Sequence, residues 1–158
     1  LGFLVKDLKV SNFEEAKVVL SKFGVSASTV EIWGSGKPKR EFLWSEDMAD
    51  ACVHIMENVN FNDLISSPLW GDTKGRGEEV RNTHINIGTG EDVSIKELAE
   101  IIKGIVGFKG GFVFNTEKPD GTMRKVTDVS KLHNLGWEHN VALEEGVARM
   151  YEWYMEKK

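Results

Sequence analysis

Val30-Glu31-Ile32-Trp33-Gly34-Ser35-Gly36-Lys37-Pro38-Lys39-Arg40-Glu41-Phe42-Leu43-Trp44-Ser45-Glu46-Asp47-Met48-Ala49-Asp50-Ala51 is the stretch on which the fold turns. β-Branched and aromatic residues from Thr29 to Trp33, and again from Arg40 to Trp44, predict two short strands, and the Gly/Pro-rich segment between them predicts a tight loop. Ser45 sits where a helix N-cap belongs, ahead of a helix running from Glu46 to about Asn58. Strand, loop, strand, helix brings a large aromatic, Trp33, and a permanent cation, Arg40, close to flexible glycine backbone. A guanidinium can give a diphosphate two parallel hydrogen bonds and keeps its charge at any relevant pH, so this unit is a candidate phosphate-ligand site.

Upstream, Asn12 to Phe23 places Phe13, Ala16, Val19, Leu20 and Phe23 at helical spacing, with Asn12 as N-cap and Gly24 as the residue that ends the helix. Its charged residues form a solvated face. Downstream, the helix from Glu46 carries Met48, Ala49, Cys52, Val53, Ile55 and Met56, which predicts one broad buried face with Cys52 packed in it and His54 on the exposed side. Ser66 to Asn82 has little periodicity and several glycines, predicting a long flexible loop in which Trp70 folds back on the body. His84 to Ile87 predicts a short strand running into Gly88-Thr89-Gly90. Ser94 and Glu97 form a capping box for a helix from Ile95 to about Val106. The glycines at 88 and 90 serve either a backbone anion site or a tight strand-to-helix turn. A further strand at Phe112–Phe114, a polar turn through Asp120-Gly121, a short extended piece at 124–127, a helix from Val129 capped by Asp128 and a closing helix from Leu143 complete an α+β pattern.

Length and composition bound the function. A chain of 158 residues fits one domain that could bury about 68–70% of its unfolded surface and fold alone. Its 41% hydrophobic and 28% charged residues are ordinary for a globular protein. No apolar run approaches the ~20 residues that span a bilayer. A net charge of −5 gives no general attraction to nucleic acid, so anion binding depends on local cations such as Arg40, Arg124 and Lys125. With the single cysteine, Cys52, no intrachain disulfide and no cysteine-rich metal site can form, which fits a reducing cytoplasm. The start, Leu1-Gly2-Phe3-Leu4, does not read as a signal peptide but as a cut inside a longer protein.

Two nucleotide-binding patterns fail. Gly34-Ser35-Gly36-Lys37 is followed by Pro38, where a P-loop requires Ser or Thr, and its glycine spacing is wrong. Gly75-Arg76-Gly77 and Gly88-Thr89-Gly90 both lack the third glycine of a dinucleotide fingerprint.

Three blocks, taken in order, carry a resemblance: Trp33-Gly34-Ser35-Gly36-Lys37-Pro38-Lys39-Arg40-Glu41-Phe42-Leu43 with its following helix; His84-Ile85-Asn86-Ile87-Gly88-Thr89-Gly90; and Lys118-Pro119-Asp120-Gly121-Thr122-Met123-Arg124-Lys125. From about Thr29 to the C-terminus the chain resembles the C-terminal half of the GDP-L-fucose synthase family, NADP-dependent epimerase/reductases within the extended short-chain dehydrogenases/reductases. The resemblance implies a small substrate-binding domain over residues 29–158 that lacks the Rossmann half, preceded by a family-atypical helical lead-in or insertion at 1–28. It implies GDP-sugar contacts at Trp33, at Arg40 on the diphosphate, and at Asp120 and Lys125, where a carboxylate suits ribose hydroxyls and an ammonium suits phosphate or base.

The family's catalytic Tyr-x-x-x-Lys and Ser lie on the cofactor half. Tyr154 and Lys158 share that spacing, but Lys158 ends the chain and no cofactor groove accompanies it. The expectation is therefore GDP-sugar recognition (GDP-4-keto-6-deoxy-mannose) with no catalytic, cofactor-binding or metal residue here, no turnover alone, NADP bound only by the parent enzyme, and a monomeric fragment of a cytoplasmic homodimer. One alternative is a non-catalytic nucleotide- or partner-binding module using the 66–82 loop and Trp70. Another is the same part of a sibling sugar-nucleotide epimerase or dehydratase, distinguished by a preference for UDP or dTDP over GDP.

Overall fold

The computed structural model describes residues 12–65 and 82–157, so the expectations for the 66–82 loop, Trp70 and Lys158 fall outside the described residues, Asn82 excepted. The chain divides into two compact units. The first holds residues 1–40, 93–124 and 147–158, and the second holds 41–92 and 125–146.

The first unit begins with α1, Phe13–Ser21, whose N-cap Asn12 accepts from the Glu15 N–H. The helix ends two residues before the expected Phe23, and Gly24 follows in the left-handed region at φ 72°. Next comes β1, Thr29–Trp33, then β2, Lys39–Arg40; later come β3, Val93–Ser94, α4, Ile95–Val106, and β4, Gly111–Asn115. β1 and β4 run parallel in register from Thr29 opposite Gly111 to Trp33 opposite Asn115. β2 lies between β3, with which it is antiparallel, and β5, Arg124–Lys125, whose second residue opens the other unit. The capping box is present: Ser94 accepts from the Glu97 N–H while Glu97 accepts from the Ser94 N–H. Two orphan donors of α4 are thus satisfied at the point where β3 becomes helix.

The second unit contains α2, Ser45–Asn58, α3, Phe61–Ile65, and α5, Ser130–Asn134; the closing helix α6, Leu143–Glu156, starts here. Its core is Ala51, Leu132 and Trp137, with Leu43, Ile55, Ile85 and Ile87 packed against them. Four local expectations change, besides the start of α5, whose N-cap is Val129 without a side-chain cap rather than Asp128. The second predicted strand is only Lys39–Arg40, because Glu41 leaves the ladder to collect hydrogen bonds described below. Trp44 rather than Ser45 is the N-cap of α2, and it has no side-chain cap. Residues 84–87 form no strand, although Ile85 and Ile87 alternate inward as an extended segment does.

The face of α2 is the fourth change. Asp47 and Ala51 are its buried residues, whereas Met48, Ala49, Cys52, Val53 and Met56 are exposed. Cys52 is therefore not packed, and His54 is the half-buried one, its Nε2 2.9 Å from the Leu135 carbonyl. The physical reason lies in polar anchors: Asp47 accepts from the Asn140 and Val141 N–H groups, and Asp50 accepts from the Trp137 indole N–H. These bonds turn the Asp47/Asp50/His54 side of the helix toward the body against the apolar count. Among the described residues, no helix is long and apolar enough to cross a membrane.

Candidate substrate-binding site

Parallel strands present their ligands beyond their carboxyl ends, where the loops leave the sheet. β1 and β4 end at the same level, Trp33 opposite Asn115, and the two departing loops, 34–38 and 116–122, are held to each other by named bonds. The Gly34 N–H donates to the Asn115 carbonyl at 2.9 Å. Asp120 then clasps Ser35 twice, Oδ1 accepting from the Ser35 N–H and Oδ2 from the Ser35 hydroxyl, both at 2.7 Å. Gly34 is required there: its φ is +83°, and a Cβ would run into the Asp120 carboxylate. The Ser35 hydroxyl and then its N–H hold the Asp120 carboxyl below its ordinary 3.8, against slight desolvation and with some help from Lys37.

Arg40 closes the other side of this unit. Its NH1 group donates to the Lys39 carbonyl at 2.6 Å and the Thr122 carbonyl at 2.7 Å. Both N–H bonds of that nitrogen are thereby used, and three of the five guanidinium donors have no partner among the described residues. Trp33 is 71% exposed, and the Lys118 ammonium lies 5.2 Å from its ring centroid. Within the first unit, then, Trp33 ends β1, Arg40 lies in β2 just past the 34–38 loop, and Asp120 sits on the 116–122 loop, the two loops being tied together. Lys125 is an exposed residue of β5 that opens the second unit.

Sequence reasoning missed three participants. Ser35 and Lys118 were overlooked because their partners lie 85 residues away in each case, and spacing within one segment carries no sign of that. The third is Glu41. In the second unit its Oε1 accepts from the Thr89 and Gly90 N–H groups, each at 2.6 Å, and its Oε2 from the Thr127 N–H at 2.9 Å. Burial pushes the Glu41 carboxyl up, but hydrogen bonds from the Thr127 hydroxyl and from the Gly90, Thr127 and Thr89 N–H groups outweigh it and leave the group below 4.5. The Gly88-Thr89-Gly90 turn is thus an anion nest whose anion is this protein's own carboxylate. A Cβ at Gly88 would come within 2.5 Å of Glu41 Oε1, which explains the glycine.

A nicotinamide dinucleotide needs a glycine-rich strand-to-helix turn with free N–H groups for its pyrophosphate. The sequence has no such fingerprint, and the nest at 88–90 is filled by Glu41. Among the described residues, the 88–90 turn therefore does not fit that cofactor. Among the described residues, no group of three or more metal-ligating side chains comes together.

The NAD dependent epimerase/dehydratase family model matches residues 10–66, a span that includes α1. The GDP-L-fucose synthase of Escherichia coli K12 is 44% identical over 133 residues, which is 84% of this chain and 38% of that protein. Over most of its length the chain is similar to the GDP-L-fucose synthases. Among solved structures, a GDP-6-OMe-4-keto-L-xylo-heptose reductase from Campylobacter jejuni matches with a TM-score of 0.84 and 50% identity, covering 99% of this chain and 42% of that one. A GDP-mannoheptose C4 reductase from the same organism, with NADP bound, matches with a TM-score of 0.79 and 48% identity, covering 98% and 40%. The chain thus spans about two-fifths of the length of these relatives. Homologous GDP-sugar enzymes, the mannoheptose reductase and a GDP-L-fucose synthetase from Naegleria fowleri among them, are NADP-binding proteins.

Proposed function

We propose that this chain is the C-terminal, GDP-sugar-recognising part of a GDP-L-fucose synthase-type enzyme, without the Rossmann half. The observation that carries the reading is the pair of cross-tied loops at the carboxyl ends of β1 and β4, which carry Asp120 and are flanked by Trp33 and Arg40, residues from two of the three matching blocks. In this reading the Trp33 ring takes a planar or sugar face, and the free donors of Arg40 meet the diphosphate. Asp120 accepts a ribose hydroxyl on the lone pairs that Ser35 leaves open, and Lys125 reaches phosphate or base. Residues 29–158 form the recognition domain, α1 is the lead-in to it, and the parent enzyme works as a cytoplasmic homodimer while this chain is monomeric.

A second reading concerns the sugar rather than the nucleotide. The solved structures matching at 48–50% identity are described as reductases of GDP-heptoses, and the E. coli relative at 44% as a fucose synthase. Both classes share GDP, so the nucleotide half of the proposal stands under either. The test is a titration of the chain with GDP, UDP and dTDP, followed by competition with GDP-mannose and GDP-mannoheptose. GDP binding that perturbs Trp33 and Arg40 supports the proposal, and equal or stronger binding of UDP overturns it. A lower competition constant for the heptose favours the heptose branch.

A further inference from the structure

Lys118 has no role in the reading above, yet its position is built rather than accidental. Asn115, the last residue of β4, organises the turn that carries it. Its side-chain oxygen accepts from the Glu117 N–H at 3.1 Å, its carbonyl accepts from the Lys118 N–H at 3.2 Å, and its amide donates to Glu31 on the neighbouring strand at 2.9 Å. An Asx turn superposed on a β-turn leaves residue 118 little backbone freedom. Two residues later, the Asp120 clasp on Ser35 fixes the far end of the same loop. Between these two fixed points the Lys118 ammonium comes to rest over the Trp33 indole, whose ring is otherwise open to solvent.

An exposed cation on an indole is held weakly enough for a ligand to displace it. A nucleoside diphosphate offers what would compete: a planar base for the ring and a dianionic group for the ammonium. Resting on the GDP-sugar reading, we propose that Lys118 is a further ligand-contacting residue, which caps Trp33 in the ligand-free chain and transfers to the diphosphate when the base stacks on the indole. The exchange replaces a cation–ring contact by a charge-assisted hydrogen bond and uncovers the ring in the same movement. Lys37 on the 34–38 loop and Arg40 just beyond it, whose guanidinium binds the Thr122 carbonyl, give the incoming anion a cationic setting that also contains the clasped Asp120.

The test is NMR on the whole chain with selectively labelled lysine, arginine and tryptophan, titrated with GDP and separately with guanosine. Ring current should displace the Lys118 ε-methylene protons upfield in the free chain, and GDP should relieve that displacement as the Trp33 signals move. Lys118→Met should weaken GDP about three- to tenfold while leaving guanosine unchanged or tighter. If Trp33 and Arg40 respond to GDP but the Lys118 displacement persists at saturation, or Lys118→Met affects GDP and guanosine equally, the exchange is wrong and the recognition reading survives. If no signal of Trp33 or Arg40 responds to GDP, the recognition reading falls and the exchange falls with it. Preserved circular dichroism in Lys118→Met keeps these outcomes apart from loss of fold.

Discussion

Glu41 shows at residue scale how a motif that looks open can be closed from within. Its carboxylate fills the nest at Thr89 and Gly90, and the hydrogen bonds favour its charged form. The folded value lies below the ordinary 4.5, so the stabilisation is fully present above that pH and is lost as the pH falls through the folded value. Glu41→Gln should therefore melt at lower temperature at about pH 7 and give a flatter stability profile than the parent between about pH 5 and pH 3. Thermal melts across that range check it; equal losses at every pH would deny the role. Arg40 presents the opposite case, a cation with donors still to offer. Arg40→Lys keeps the charge but removes the fork, and the expected result is about tenfold weaker GDP binding in calorimetry, together with a looser 119–122 turn. Asp120 was legible as a polar turn residue. Its clasp on Ser35 was not, because nothing in either segment announces a partner 85 positions away.

At the scale of elements, what was legible depended on whether the deciding interactions are local. The capping box at Ser94/Glu97 and the Asn12 cap are formed within one turn of helix, and both were readable from the sequence. Ser94→Ala should cost about 1 kcal/mol in urea unfolding, the size of a lost N-cap. The parallel pairing of β1 with β4 leaves no local trace and emerged only with the structure. In α2 the apolar residues Met48, Cys52 and Met56 gave a clear stripe, but a stripe does not say where its partner is. Asp47, Asp50 and His54 carry the bonds that orient the helix, and composition alone discounts such residues. A direct comparison follows. Leu132→Ala, in the core at 0% exposure, should cost about 2–5 kcal/mol, while Met56→Gln, at 83% exposure, should stay within about 0.5 kcal/mol. Similar losses for the two would contradict the burial described for the second unit.

At the scale of the whole molecule, the chain covers about two-fifths of the length of its GDP-sugar relatives. On the proposed reading it should consume no NADPH when supplied with GDP-4-keto-6-deoxy-mannose, and a steady fall in absorbance of the reduced nicotinamide would reassign the catalytic roles. The central claim is that the loops leaving β1 and β4 form a nucleotide-diphosphate site. Its most direct test is a titration of the labelled chain with GDP, followed residue by residue. The account predicts saturable shifts concentrated at Trp33, Ser35, Arg40 and the 118–122 turn, with Glu41 and the 88–90 nest unmoved. Saturable shifts centred on the Glu41 nest or the exposed face of α2, with Trp33 and Arg40 silent, would contradict it.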